Sequence, residues 1–431
     1  MKLTVIGGGS TYTPELVDGL ARLRGALPVT ELVLVDPDGD RLVPVGAMSR
    51  RMLARAGHPA RVVTTADTAA GVAGADAVVV QLRIGGQAAR RVDETLPLAC
   101  GCVGQETTGV GGLAKALRTV PVVLDLADTI AKHAPDAWIV DFTNPVGIVT
   151  RALLDAGHRA VGLCNVAIHV QRRLAALLDV RPDEVDLGHA GLNHLTWVRS
   201  ARVRGVDRLP GLLADHLPAL EEISNLPGGL LRHLGTLPSY YLGYYYEHDR
   251  IVERQRTGTP RAEQVAAVER ELLDLYADPA NDTRPAQLSE RGGAFYSEAA
   301  VYLLAALLGR PGTAQGDAGD AGVPAVQVAN VRNNGTFPFL PDRSVIEVPA
   351  RITSKGPLPL PVPPLEPLYA GLVAHVSAYE ELALDAALHG GVDRVRTALL
   401  AHPLVGQHAL AERLADDLVA ANRDHLPWAA R

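Results

Sequence analysis

A chain of 431 residues that is 47% hydrophobic and 21% charged is long enough to pack two domains and too polar to be a membrane protein. Its 41 Lys and Arg against 48 Asp and Glu leave a formal charge of −7, which argues against nucleic acid or anionic lipid as a partner. The opening MKLTVIGGG meets glycine after too few apolar residues for a signal-peptide core, so a cytoplasmic protein is expected, and three cysteines are too few for a disulfide framework.

Lys2–Ile6 is a short apolar run, Gly7 to Gly9 follow, and Leu16, Val17, Leu20 and Leu23 recur at helical spacing within Pro14–Leu23. Strand, tight loop and helix are predicted. Further strands are read at Glu31–Val35, Ala77–Leu82, Ala137–Phe142 and Ala160–Leu163, with a helical stretch ending near Gly74. Strands alternating with helices imply an α/β fold with a Rossmann-type parallel sheet and right-handed crossovers. The first domain is expected to span residues 1–165. Residues 166–431 read as a mixed α+β substrate and oligomerisation domain, with helices at Val170–Leu178, Arg261–Tyr276, Glu298–Leu308 and Leu368–Leu388 and an extended run at Ser344–Pro349. Gly309–Pro324 has almost no large apolar residue and is expected to be a mobile loop. Six prolines in Pro357–Pro367 predict an extended connector.

A glycine loop between strand and helix lets backbone N–H groups approach a pyrophosphate without a Cβ in the way. Gly7, Gly9, Ser10 and Thr11 sit in that context, although the third glycine position holds Tyr12. Asp36, 27 residues beyond Gly9 and at the end of the second strand, can accept hydrogen bonds from ribose hydroxyls. This favours NAD over NADP.

Cys164 ends a strand at the sheet edge where open α/β sheets place ligands, and Asn193-His194 follows a run with strand character thirty residues on. A thiolate and an imidazole suit a borderline divalent metal with positions open to substrate oxygens; His169 and His189 are equally permissible partners, and a small buried apolar cysteine is the plainer reading. Cys100 and Cys102 read as structural. Five of the 11 tyrosines fall in SYYLGYYYE; at least four are assigned to a packed aromatic face, and one could serve as a phenolate base beside a cation. Arg83–Gly112 mixes glycines, arginines and acids without clear periodicity, the composition of a loop that could bind an anion. Asn144, in TNPVG, ends another strand and points to the same edge.

Taken together, GGGSTYTPEL, RxxDE with Arg90, GQET with Glu106, TNPVG, LCN with Cys164, GLNH with His194, SYYLGYYY and TPRAEQV resemble glycoside hydrolase family four. This is an NAD-dependent family that stands outside the usual two-carboxylate glycosidases. The resemblance implies that hydride leaves C3 of the sugar for NAD, that the C2 proton becomes acidic and the aglycone is eliminated, and that water then adds and the hydride returns. It further implies Mn²⁺ held by Cys164 and His194, Tyr241 as the base at C2, Glu106 raising the basicity of that tyrosine, and Arg90, Asn144 and Arg261 on a phosphorylated disaccharide or aryl glucoside. Asn165 stands where relatives acting on α-linked phosphosugars carry an acid, so LCN looks like the 6-phospho-β-glucosidase branch. Gly243, where many relatives have arginine, departs from the pattern. A homodimer or homotetramer is implied. The alternatives are a 6-phospho-α-glucosidase or α-galactosidase of the same family, a 2-hydroxy-acid dehydrogenase that consumes NAD, and a non-enzymatic NAD sensor.

Overall fold

The computed structural model describes residues 1–291, 295–309 and 325–429. Six parallel strands come first: β1 (Lys2–Ile6), β2 (Glu31–Val35), β3 (Arg61–Thr65), β4 (Ala77–Val80), β5 (Trp138–Asp141) and β6 (Ala160–Gly162). They lie in the order β3-β2-β1-β4-β5-β6, the arrangement of a dinucleotide-binding sheet. Every residue of β4 and β5 is buried, because helices cover both faces; that is why these strands read as unbroken apolar runs. The run expected to reach Leu82 stops at Val80, since the Gln81 side chain leaves the sheet to donate to the Gly7 carbonyl and the Thr13 hydroxyl. Strand β3 escaped the sequence reading because it is an edge strand with only one residue of RVVTT fully buried.

The stretch 83–112, expected to be irregular, is largely helical: Gly86–Thr95, a 3-10 turn at Leu96–Cys100, and a long helix Gly109–His133. Its first helix buries Asp93 and Glu94 rather than apolar residues, so hydrophobic periodicity could not reveal it.

The sheet does not stop at residue 165. Strand β7 (Val185–Leu192), β8 (Leu195–Val203), β9 (Val206–Asp207) and β10 (Leu237–Pro238) form a separate small sheet, but β11 (Val326–Arg332), β12 (Val345–Thr353) and β13 (Gly356–Pro359) extend the large one antiparallel beyond β6. The later half of the chain thus supplies three of its nine strands. The proline-rich stretch begins in edge strand β13, where missing N–H groups cost no ladder bond, and runs without helix to the helix Pro367–His389. Helices are also found at Val166–Leu178, Arg261–Ala277 and Tyr296–Leu307. The expected loop 309–324 lies, past Gly309, outside the described residues. No helix among the described residues is long and apolar enough to cross a membrane.

Candidate active site

At the carboxyl ends of the parallel strands a cavity of about 770 Å³ is lined by residues that include Ser10, Arg90, Glu106, Asn144, Asn165, Tyr241 and Arg261. Its first end is the glycine loop. Gly7 has φ +82, and a Cβ there would run into the Gln81 carbonyl, so both backbone angle and close approach require glycine. The Gly7 and Gly8 N–H groups donate to the Val35 carbonyl at 2.9 Å, which seats the loop on the end of β2. Asp36 stands where expected: its Oδ2 accepts the Gly9 N–H at 2.9 Å and its Oδ1 the Asp38 N–H at 3.0 Å, leaving further lone pairs for a ribose. Thr11 is buried, and its carbonyl accepts from the Tyr276 hydroxyl at 2.7 Å, which anchors the loop to the helix Arg261–Ala277.

Cys164 and His194 come from two different sheets and stand behind the cavity lining, His194 against the lining residue Tyr241 and Cys164 just before the lining residue Asn165. Cys164 follows β6, whereas Asn193-His194 is the two-residue turn joining β7 to β8. His194 has φ +63, a left-handed conformation uncommon for a residue other than glycine. Its ring stacks on Tyr241 with centroids 3.7 Å apart and planes at 11°, and its Nδ1 lies 3.1 Å from the Thr107 hydroxyl. Burial lowers His194 to about 4, so the imidazole is neutral and available as a ligand at neutral pH. Burial and then the Glu347 charge push the Cys164 thiol up, so its proton departs only when a cation arrives. Among the described residues no group of three or more His, Cys, Asp or Glu is placed to hold a metal ion. Cys164 and His194 are a thiol and an imidazole, donor types that suit a borderline divalent ion. The two other permissible histidines are engaged elsewhere: His189 pairs with Glu347 at 2.9 Å, and His169 faces Phe295.

Glu106 has different partners from those implied. Its carboxylate accepts from Lys115 Nζ at 2.7 Å and from Arg83 and forms an ion pair with Arg90, whose Nε lies 3.2 Å away, with no bond to Tyr241 among the described contacts. Burial alone would raise it, but the charges of Arg83, Lys115 and Arg90 outweigh burial and hold it well below the usual carboxylate range. Lys115 is itself lowered by burial to about 8. Burial, then Tyr240 and Cys164, push the Tyr241 phenol far up. Arg90 Nε also donates to Glu94 at 2.7 Å, so its position is fixed before any anion binds. Arg261 is exposed at the rim, donating to Gln264 Oε1 at 3.0 Å and the Glu290 carbonyl at 2.5 Å. Asn144 lines the cavity with its Oδ1 buried and without a hydrogen-bond partner, an acceptor ready for a ligand hydroxyl.

The tyrosine segment divides otherwise than expected. Tyr240, Tyr241 and Tyr244, carried on a 3-10 turn and the short helical turn after it, line the cavity as one contiguous set, Tyr240 stacked on Tyr241 at 4.3 Å and Tyr244 edge-on to it at 6.0 Å. Tyr245 packs on His402, and the Tyr246 hydroxyl accepts from Trp197 Nε1 at 3.2 Å. Gly243 is buried against Ile251 and Leu226 and does not line the cavity, so its departure from arginine leaves the lining intact. Arg83 and Lys115 were missed as site residues. A lone lysine within the apolar GVGGLAKAL was the available signal for Lys115.

Residues 2–180 match the family 4 glycosyl hydrolase profile, and residues 189–405 match that family's C-terminal domain. The chain belongs to glycosyl hydrolase family 4. Within family 4, it is 38% identical to a probable 6-phospho-beta-glucosidase of Bacillus subtilis (strain 168), over 99% of this chain and 97% of that one. A phospho-alpha-glucosidase of Clostridium acetobutylicum is 27% identical, with 98% of each covered. The solved structure of the Thermotoga maritima 6-phospho-beta glucosidase with manganese, NAD+ and glucose-6-phosphate superposes with TM-score 0.89 at 32% identity, covering 99% of both chains. The family-4 fold is the parallel-dominant sheet with an antiparallel extension described above.

Proposed function

We propose that this chain hydrolyses 6-phospho-β-glucosides to glucose 6-phosphate and aglycone, using NAD and a divalent metal such as Mn²⁺. The single observation that carries the reading is the Tyr241 ring stacked face-on upon His194 at the wall of a cavity lined by Arg90 and Arg261. A candidate base, with a candidate metal ligand against it, thus faces a phosphate-binding surface, which neither a 2-hydroxy-acid dehydrogenase nor a dinucleotide sensor needs. The higher identity to the β-specific relative, together with asparagine at position 165, supports the β branch over the α branch.

The glycine loop and Asp36 would hold the dinucleotide, and Cys164 and His194 the ion. When bound, these groups supply a hydride acceptor for C3 and positive charge beside the oxygens at C2 and C3. The work of the chain's own residues follows from their chemistry. Arg90 and Arg261 present guanidinium groups suited to a 6-phosphate dianion, Arg90 from a fixed position and Arg261 from the rim. Asn144 offers its unpaired Oδ1 to a sugar hydroxyl. Tyr241 would remove the C2 proton as phenolate, a form that burial disfavours until a cation stands beside it. Asn165 can orient the leaving oxygen but has no proton to give it. Glu106 acts through its neighbours, holding Arg83, Arg90 and Lys115 in place, rather than on the phenol.

The test is to assay nitrophenyl glucosides of both anomers, with and without the 6-phosphate, in the presence of NAD and Mn²⁺. Release of nitrophenol from the phosphorylated β-anomer alone, without net NADH, is expected. Preference for the α-anomer would move the chain to the other branch, and stoichiometric NADH from a hydroxy acid would overturn the reading.

A further inference from the structure

Nothing within either sheet sets the spacing between Cys164, at the edge of the large sheet, and His194, on the turn of the small one. Besides the Asn193 side chain, which bonds Cys164, a carboxylate links the two sides. Glu347 lies on β12, 1% exposed, within the apolar run Val345–Val348. Its Oε2 accepts from Asn193 Nδ2 at 2.8 Å and Asn330 Nδ2 at 3.0 Å, and its Oε1 lies 2.9 Å from His189 Nε2. Asn193 is the residue before His194 in the turn, and His189 is on β7. Asn330 is paired across the large sheet with both Glu347 and Gly162, two positions before Cys164. The carboxylate therefore bonds directly to the turn that carries His194 and, through Asn330 on β11, is linked to the strand that ends before Cys164, and its charge faces both expected ligands.

A carboxylate in such a run is costly to bury unless its oxygens are satisfied, and here three neighbours satisfy them. Its geometry also suits a site that must accept a dication. One thiolate and one neutral imidazole leave a net positive charge, which the Glu347 charge offsets from behind the ligands.

We infer that Glu347 is a positioning residue for the metal pair, tying the Cys164 edge to the His194 turn and so setting how tightly a divalent cation is held. The inference rests on the reading of Cys164 and His194 as ligands. It is tested by comparing wild type, Glu347→Gln, Glu347→Asp and Cys164→Ser. Free Mn²⁺ is followed by electron paramagnetic resonance, and Co²⁺ in its place reports through a sulfur-to-metal absorption band. Glu347→Gln is expected to weaken Mn²⁺ binding by about 10- to 100-fold and to displace the cobalt band, Glu347→Asp to lose less, and NAD affinity to stay at the wild-type value. Wild-type Mn²⁺ affinity and an unshifted band in Glu347→Gln would overturn the inference. Absence of the band in the wild type would instead overturn the ligand reading beneath it. Should Glu347→Gln not fold, His189→Gln decides, since it leaves the carboxylate and removes one tie: weaker Mn²⁺ binding supports the role, and unchanged binding overturns it.

Discussion

The glycine-loop end of the cavity is built from neighbours in the chain, with Gly7, Gly9 and Asp36 meeting across a separation of 27 residues. The Cys164 and His194 end is built from β6, the β7–β8 turn and β12, where Asn193 and Glu347 are 154 residues apart when they bond. The first end is two adjacent parallel strands with the loop and helix between them, so its geometry follows from local steric rules. The second exists only after two sheets have packed, and its precision depends on long-range ties. The cofactor end should therefore fail by local strain and the metal end by loss of single ligands or of the ties behind them.

Replacing Cys164 with Ser should have the largest effect. Loss of a sulfur ligand from a site with so few protein donors should cut turnover by at least about 10³-fold, since Lewis-acid stabilisation is worth several kcal/mol, while NAD affinity measured by fluorescence stays unchanged. Next comes Tyr241→Phe, for which a loss of about 10²- to 10⁴-fold in kcat is expected, with solvent exchange of the C2 proton abolished in a mass-spectrometric assay. Gly7→Ala reverses the pattern of Cys164→Ser: the φ of +82 and the Gln81 carbonyl should weaken NAD binding and cost about 1–3 kcal/mol in urea unfolding, with Mn²⁺ affinity retained.

The smallest effect concerns His402, whose Nε2 accepts the Gly109 N–H at 3.2 Å at the start of the helix that carries Lys115. Burial, then His375, lowers it to about 3, so the native imidazole stays neutral while the unfolded chain takes a proton below about 6.5. The unfolded state binds more protons in that window, and stability falls as pH drops from about 6.5 toward 3. His402→Gln should flatten this loss, visible as a smaller fall in Tm between pH 7 and pH 5.

The same contrast explains what could be read before the fold was known. Gly7, Asp36 and Cys164 were visible because each ends a strand with a strong apolar pattern. Five of the six parallel strands were legible from their apolar runs and their alternation with helices, whereas β3, an edge strand with one buried residue, and the strand order were not. The helix Gly86–Thr95 was not visible, since its buried face is acidic. Glu106 was assigned to Tyr241; its bonds to Arg83 and Lys115 depend on how two loops meet the helix Gly109–His133, which no spacing reveals. Glu347 left a trace in the sequence, a single carboxylate inside an apolar strand, yet its purpose needed β11 and β12 to be placed beside β6.

The central claim is that cleavage of the glycosidic bond passes through oxidation at C3, and deuterium at that carbon tests it most directly. A 6-phospho-β-glucoside labelled there should be hydrolysed measurably more slowly than the unlabelled compound, and product formed in heavy water should carry solvent deuterium at C2. Equal rates for the two compounds, with no label entering at C2, would contradict the account.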